Sequence, residues 1–260
     1  MRYGSLFTGI GGIDLGLERA GMECAWQVEN DPYCIKVLEK HWPNIRRYED
    51  VRSVTSPEPV DLLAGGFPCQ PHSVAGKRRG AEDDRNLWPE YLRLIRETRP
   101  RYIIAENVPG IVSTYIDTVL SDLESEGYAC WTFNLPACAF DAPHRRERIF
   151  IVGYTEHVRL DAAEITRSIA QGSNNGASGQ EQTGQPARSG EQLPLVAHAE
   201  GGDERRKSTH WTTEPDVGRV AHGVPKRIHR LRGLGNAVVP QVAEWIGERI
   251  MEHSTVEVIE

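Results

Sequence analysis

Apolar positions along the chain fall into short runs, and between them hydrophobic residues recur at helical spacing. Tyr3 to Phe7 predicts a strand, followed by Thr8-Gly9-Ile10-Gly11-Gly12. Ile13, Leu17 and Ala20 then share one helical face, and Gly21 supplies the C-cap. Glu23 to Val28 predicts a second strand that closes on Glu29, and a helix from about Asp31 to Trp42 opens on an acid and a proline. Asp50-Val51 falls at a third strand end, and Val60 to Ala64 predicts the fourth strand. Further on, Leu87, Tyr91, Leu94 and Ile95 mark a helix that Pro100 ends, and Tyr102 to Ala105 marks a wholly apolar strand. Ile116, Val119, Leu120 and Leu123 mark a helix stopped by Gly127, and strands follow from Cys130 to Leu135 and through Ile149 to Gly153. A last helix from Pro240 to about His253 has Val242, Trp245, Ile246 and Ile250 as its inner face. The alternation of strand and helix predicts one large α/β domain, or such a domain with a small lobe.

The pattern breaks between about Glu156 and His229. Ser173-Asn174-Asn175-Gly176-Ala177-Ser178-Gly179-Gln180 and its continuation are polar, glycine-rich and aperiodic, a composition that cannot bury enough surface for a firm core. Order returns at Leu231. Composition adds bounds rather than a function. At 260 residues with 39% hydrophobic and 26% charged content, the chain suits a soluble globular protein. It has no apolar run long enough for a membrane span. Five cysteines, with no CxxC pair, argue against a disulfide framework or a metal site, so a reducing cytoplasm is the expected setting. The net charge of −7 does not favour nucleic acid, yet Lys77-Arg78-Arg79 and Arg145-Arg146-Glu147-Arg148 are compact basic groups. Local charge outweighs the total.

The candidate chemistry sits at strand ends. Gly65-Gly66-Phe67-Pro68-Cys69-Gln70-Pro71 places a cysteine between two prolines, just beyond an apolar run. Read alone, the stretch fits a structural cysteine as well as a nucleophile. The glycines between the first strand and helix allow close approach of a ligand to the backbone, and Glu29 is placed for ribose hydroxyls. Together they point to a nucleoside cofactor. Glu106 closes an apolar strand, where burial raises a carboxyl pKa toward that of a neutral-pH proton donor. Arg146 and Arg148, two residues apart at the start of a strand, are expected to point the same way and line an anion-binding pocket. The loop from Gly66 to Asn86, rich in glycine and basic residues, is expected to be a functional lid near phosphates.

Taken together, these residues closely resemble the bacterial and phage DNA (cytosine-5) methyltransferases. Phe7-Thr8-Gly9-Ile10-Gly11-Gly12 looks like their first cofactor motif and Phe67-Pro68-Cys69-Gln70 their nucleophile motif. Glu106-Asn107-Val108 resembles the acid motif, Arg146-Glu147-Arg148 the arginine motif, and Gly235-Asn236-Ala237-Val238-Val239-Pro240 the terminal cofactor motif. The resemblance covers roughly residues 1 to 154 and 231 to 252. It implies a Rossmann-like α/β sheet with helices on both faces and a C-terminal helix packed back on the catalytic domain. The implied organisation is a catalytic domain over 1–154, a small irregular recognition region over 155–230, and a segment over 231–260 completing the catalytic domain. It further implies S-adenosylmethionine as cofactor, lying against Phe7, Gly9, Ile10, Gly11, Gly12, Glu29, Asp50, Val51, Pro68, Asn236 and Ala237. Cys69, Glu106, Arg146 and Arg148 would be catalytic, with Ser73, Lys77, Arg78, Arg79 and Arg85 on DNA. The implied partner is double-stranded DNA, with no metal, no membrane, a monomeric state and a nucleoid-associated cytoplasmic location.

Three departures from the family pattern are visible. His144 stands where the arginine motif usually opens with glutamine, Lys226-Arg227-Ile228-His229-Arg230-Leu231 only loosely matches the arginine-bearing segment usual ahead of the last motif, and the recognition region is short and poor in apolar residues. Alternatives from the same and other classes are a tRNA cytosine methyltransferase, a catalytically impaired DNA-binding relative, and a nicotinamide oxidoreductase. The last leaves Cys69, Glu106 and the arginine pair without a role.

Overall fold

The computed structural model describes residues 1–68, 86–155 and 233–256. Seven strands form one sheet in the order β3-β2-β1-β4-β5-β7-β6. They are β1 (Arg2–Leu6), β2 (Glu23–Val28), β3 (Arg46–Tyr48), β4 (Leu62–Gly66), β5 (Tyr102–Asn107), β6 (Tyr128–Leu135) and β7 (Arg148–Thr155). The first five run parallel, and β7 lies antiparallel between β5 and β6. From β1 the chain builds outward to β3, then returns to place β4 on the other side of β1. The strand order therefore reverses between β1 and β4. In an open α/β sheet the crevice at such a reversal, beyond the carboxyl ends of the strands, is where ligands bind.

Helices cover both faces, as the resemblance implied. On one face α3 (Trp88–Thr98) and α4 (Ile116–Ser125) press Trp88, Tyr91, Ile95, Val119 and Leu123 onto Leu63, Ile103 and Ile151. Trp88, Tyr91 and Ile95 are spaced by three and four residues, so one helical stripe meets the sheet. The opposite face is covered by α1 (Gly12–Arg19) and the C-terminal helix, here α5 (Pro240–Val256), through Ile13, Leu17, Val242, Ala243, Ile246 and Ile250. Between β2 and β3, α2 (Pro32–His41) starts where the Asp31 carboxylate accepts the Tyr33 and Cys34 N–H groups at 2.8 and 3.1 Å. That cap and the proline in its first turn are the start signals visible in the sequence.

Among the strand boundaries that differ from expectation, three bear on the site. β4 runs from Leu62 to Gly66 rather than from Val60 to Ala64, because Gly65 and Gly66 continue the parallel pairing with Ala105 and Glu106. β3 ends at Tyr48, so Asp50 does not close a strand; its carboxylate accepts the Arg52 N–H at 2.9 Å and starts a short 3-10 turn, Val51–Ser53. β7 begins at Arg148, and Arg146 stands outside it. Of the expected recognition region only Thr155, the last residue of β7, lies within the described residues.

Candidate active site

The loop after β1 is built to come close to a ligand. Phe7, Gly9 and Gly11 all have positive φ (52°, 60° and 83°), a run that bends the chain sharply before α1. At Gly12 a Cβ would overlap the Val238 carbonyl oxygen, so glycine is what lets the C-terminal segment close over the start of α1. Glu29, buried at the end of β2, accepts the Gly9 N–H at 2.6 Å through Oε2 and the Asp31 N–H at 2.7 Å through Oε1. A carboxylate has about four acceptor sites, so capacity remains for hydroxyl donors. Ile10 is half-buried and Val51 buried, while Asp50, Pro68 and Asn236 are exposed and Ala237 half-buried. Phe7, packed against the α3-side core, lies 6.4 Å from the Tyr91 ring.

At the neighbouring strand ends an acid and an arginine meet. Glu106 is 7% exposed, and Arg148 Nε stands 2.9 Å from its Oε1. Burial pushes the Glu106 carboxyl up to about 7, against the opposing pull of Arg148 and then Arg146. Gly66, at the end of β4, is opposite Glu106 in the register, and a Cβ there would overlap Glu106 Oε2. Glycine at this position is therefore a condition for the carboxylate to stand where it does. The chain leaves β4 through Phe67, whose ring is buried against Trp88 at 5.0 Å and Tyr91 at 6.3 Å. Asn107, directly after the acid, donates from Nδ2 to the Phe67 carbonyl at 3.0 Å and accepts the Val108 N–H at 2.8 Å. It fixes the backbone immediately before Pro68 and Cys69. Its position beside an acid at a strand end was the available signal for that role.

Arg146 departs from the expected geometry. Its φ of 33° and its place outside β7 break the two-residue alternation that was expected to align it with Arg148. The guanidinium turns toward the C-terminal segment instead. Nη2 donates to the carbonyls of Gly235 and Ala237 at 2.6 Å each, and Nε to Ala237 at 3.2 Å. His144 is exposed in the turn before β7. Cys69, Ser73, Lys77, Arg78, Arg79 and Arg85 lie outside the described residues. Among the described residues no cluster of His, Cys, Asp and Glu could hold a metal ion, and no helix is long and apolar enough to cross a membrane.

A family model for C-5 cytosine-specific DNA methylases matches residues 1–200. The chain belongs to that family. Family members are S-adenosylmethionine-dependent, and the glycine loop, Glu29 and the Gly12–Val238 closure fit a nucleoside cofactor. Among curated relatives, the Type II methyltransferase M.HgiCII of Herpetosiphon aurantiacus is 36% identical over 160 residues, covering 58% of this chain and 37% of that protein. M.AquIA, a Type II methyltransferase of a Picosynechococcus strain, is 36% identical over 173 residues, covering 57% of this chain and 70% of that protein. A solved DNA modification methyltransferase encoded within an E. coli prophage superposes with a TM-score of 0.56 at 29% identity, over 64% of this chain and 50% of that one. The S. pombe Dnmt2 methyltransferase shares the fold, with a TM-score of 0.55 at 19% identity over 65% of this chain and 55% of its own.

Proposed function

We propose that this methylase-family chain transfers a methyl group to C5 of a cytosine in double-stranded DNA. The observation that carries the reading is the buried Glu106–Arg148 pair, set beside Gly66 on the strand that leads to Cys69. Cytosine C5 is a poor nucleophile until a thiolate adds at C6, and Cys69 is the thiol the sequence supplies there. Glu106, with its pKa raised toward neutrality, holds a proton that it can share with the base N3 as the adduct forms. Arg148 offers its remaining guanidinium donors to the base carbonyl and, as a cation, favours the thiolate. When bound, S-adenosylmethionine supplies an electrophilic methyl group. Phe7, the glycine loop, Glu29 and the 236–237 segment would hold it. Loss of the C5 proton and expulsion of Cys69 would then complete the cycle.

A stacked base is out of reach of such a pocket, so the target nucleotide must leave the duplex, at a cost of about a few kcal/mol. Lys77, Arg78, Arg79, Ser73 and Arg85 are assigned to the DNA backbone, and residues 155–230 to the choice of sequence. Incubation of the purified protein with radiolabelled S-adenosylmethionine and either duplex DNA or tRNA tests the assignment. Label in DNA that vanishes in Cys69→Ala is expected. Label in tRNA alone would transfer the activity to the RNA substrate, and label in neither would overturn it. Bisulfite sequencing of DNA from expressing cells would then read the target sequence.

A further inference from the structure

A buried carboxylate outside the catalytic pocket has no part in the chemistry above. Asp14, in the first turn of α1, is fully buried, with 0% of its surface exposed. Its Oδ2 accepts the Ser5 hydroxyl at 2.9 Å, and its Oδ1 accepts the Gln27 side-chain amide at 2.9 Å. From each partner a chain of hydrogen bonds continues. Thr8 Oγ1 lies 3.1 Å from Ser5 Oγ, and Thr8 is the second residue of the loop that bends around the cofactor position. On the other arm, the Gln27 carbonyl accepts Arg47 Nε at 3.0 Å, and Arg47 Nη2 donates to the Trp42 carbonyl at 2.8 Å. The Trp42 ring then lies directly beneath Gly11, where any Cβ would overlap it. The two arms thus return to the same loop at Thr8 and Gly11, which are themselves joined by the Gly11 N–H to Thr8 carbonyl bond at 3.0 Å.

We propose that Asp14 is a positioning residue that sets the shape of the cofactor loop through these two arms. The inference rests on reading that loop as the S-adenosylmethionine site. Its physical core is directionality. An ionised carboxylate only accepts, so the single Ser5 hydroxyl proton must point at Asp14, and the Ser5 oxygen is left to accept from Thr8. By the same rule the Gln27 amide nitrogen faces Asp14 and its oxygen faces Arg47. One charge therefore fixes the polarity of Ser5 and Gln27, and with it the acceptors that they offer to Thr8 and Arg47. Burying a carboxylate merely to fill space is costly compared with an apolar residue, and burial accordingly pushes the Asp14 carboxyl up to about 6. Fixing a single hydrogen-bond polarity beneath a ligand loop is a use that an apolar residue cannot replace.

The test compares the full-length protein with Asp14→Asn and Ser5→Ala. Asp14→Asn keeps the shape but introduces a donor that faces either Ser5 or Gln27, so one arm must reverse. Ser5→Ala removes one hydroxyl and cuts the arm to Thr8. Isothermal titration with S-adenosylmethionine and with S-adenosylhomocysteine is the main readout, beside the melting temperature without ligand. Each variant is expected to raise Kd by roughly tenfold, the loss of one charge-assisted hydrogen bond. The double variant is expected to be less than additive, because both changes act on the Ser5–Asp14 bond. A lower melting temperature with Kd equal to wild type would make Asp14 a stability residue only and overturn the proposal. If the wild type bound neither ligand, the cofactor reading itself would fall, which is a different result from wild-type binding matched by both variants. Should Asp14→Asn not fold, Ser5→Ala decides alone.

Discussion

Replacing Glu106 by glutamine should change how stability depends on pH, in a direction that separates the two influences on this carboxyl. The group is buried, which disfavours its charge, and it touches Arg148 at 2.9 Å, which favours it. If burial wins, the folded-state pKa stands near 7 against the usual 4.5. A raised folded pKa gives stability that is full below 4.5 and lost as pH rises through about 7. At about 1.4 kcal/mol per pH unit, that gap corresponds to about 3 kcal/mol. Glu106→Gln cannot ionise and does not suffer this loss. The pull of Arg148 on the ionised carboxylate is already contained in that folded-state pKa, so it is not counted again when pH values are compared. Urea unfolding of both proteins at several pH values between 4 and 8 is the assay. The stability of the variant relative to wild type should climb by about 3 kcal/mol across the window. A flat difference would refute the reasoning. A difference moving the other way would mean that Arg148 holds the carboxyl ionised, and Glu106 would then be an acceptor for the base rather than a proton source.

Other perturbations address the supports of the site. Gly66→Ala places a methyl group against Glu106 Oε2. It should destabilise by about 1–3 kcal/mol and lower kcat, with the Kd for S-adenosylmethionine unchanged in titration calorimetry. Arg146→Ala frees the carbonyls of Gly235 and Ala237 and should weaken S-adenosylmethionine binding by about 1–3 kcal/mol, with little rescue by lysine, which lacks the planar fork. Reduced kcat at unchanged Kd would instead restore Arg146 to the base pocket. Asn107→Ala leaves the Phe67 carbonyl without its donor. It should cost about 1–3 kcal/mol in urea unfolding and slow formation of the covalent DNA adduct more than it weakens cofactor binding.

Most of the sheet could be read from the sequence because its signals are local. β2 matches its apolar run, and α2 begins at the acid and proline that mark helix starts. The burial of Glu106 was legible for the same reason: the acid stands near the end of a wholly buried strand. The direction of Arg146 was not legible because alternation assumes extended backbone, and this residue stands outside β7 at φ 33°. The Asp14 network was invisible for a different reason. Its members come from β1, α1, β2 and β3, and an acid in the first turn of a helix already has an ordinary explanation in the helix dipole. Only the packing of α1 onto the sheet converts that surface-type residue into a fully buried one.

The reversed strand explains how the acid and arginine meet at all. Glu106 is near the carboxyl end of β5, whereas Arg148 is the first residue of β7. In an all-parallel sheet the first residue of a neighbouring strand would lie at the far edge, level with Tyr102 and roughly 13 Å along the strand from Glu106 at about 3.3 Å per residue. β7 runs antiparallel, pairing Asn107 with Ile149 and Tyr102 with Tyr154, so its start reaches the edge where β4 and β5 end. The reversal also places the residues just before β7 at that edge, which is why Arg146 can reach the segment after residue 233 and hold it over α1. The same strand therefore furnishes the partner of the acid and, through the turn that precedes it, a clasp on the C-terminal part of the proposed cofactor site. A change of direction in one strand thus couples the proposed base side of the pocket to the proposed cofactor side.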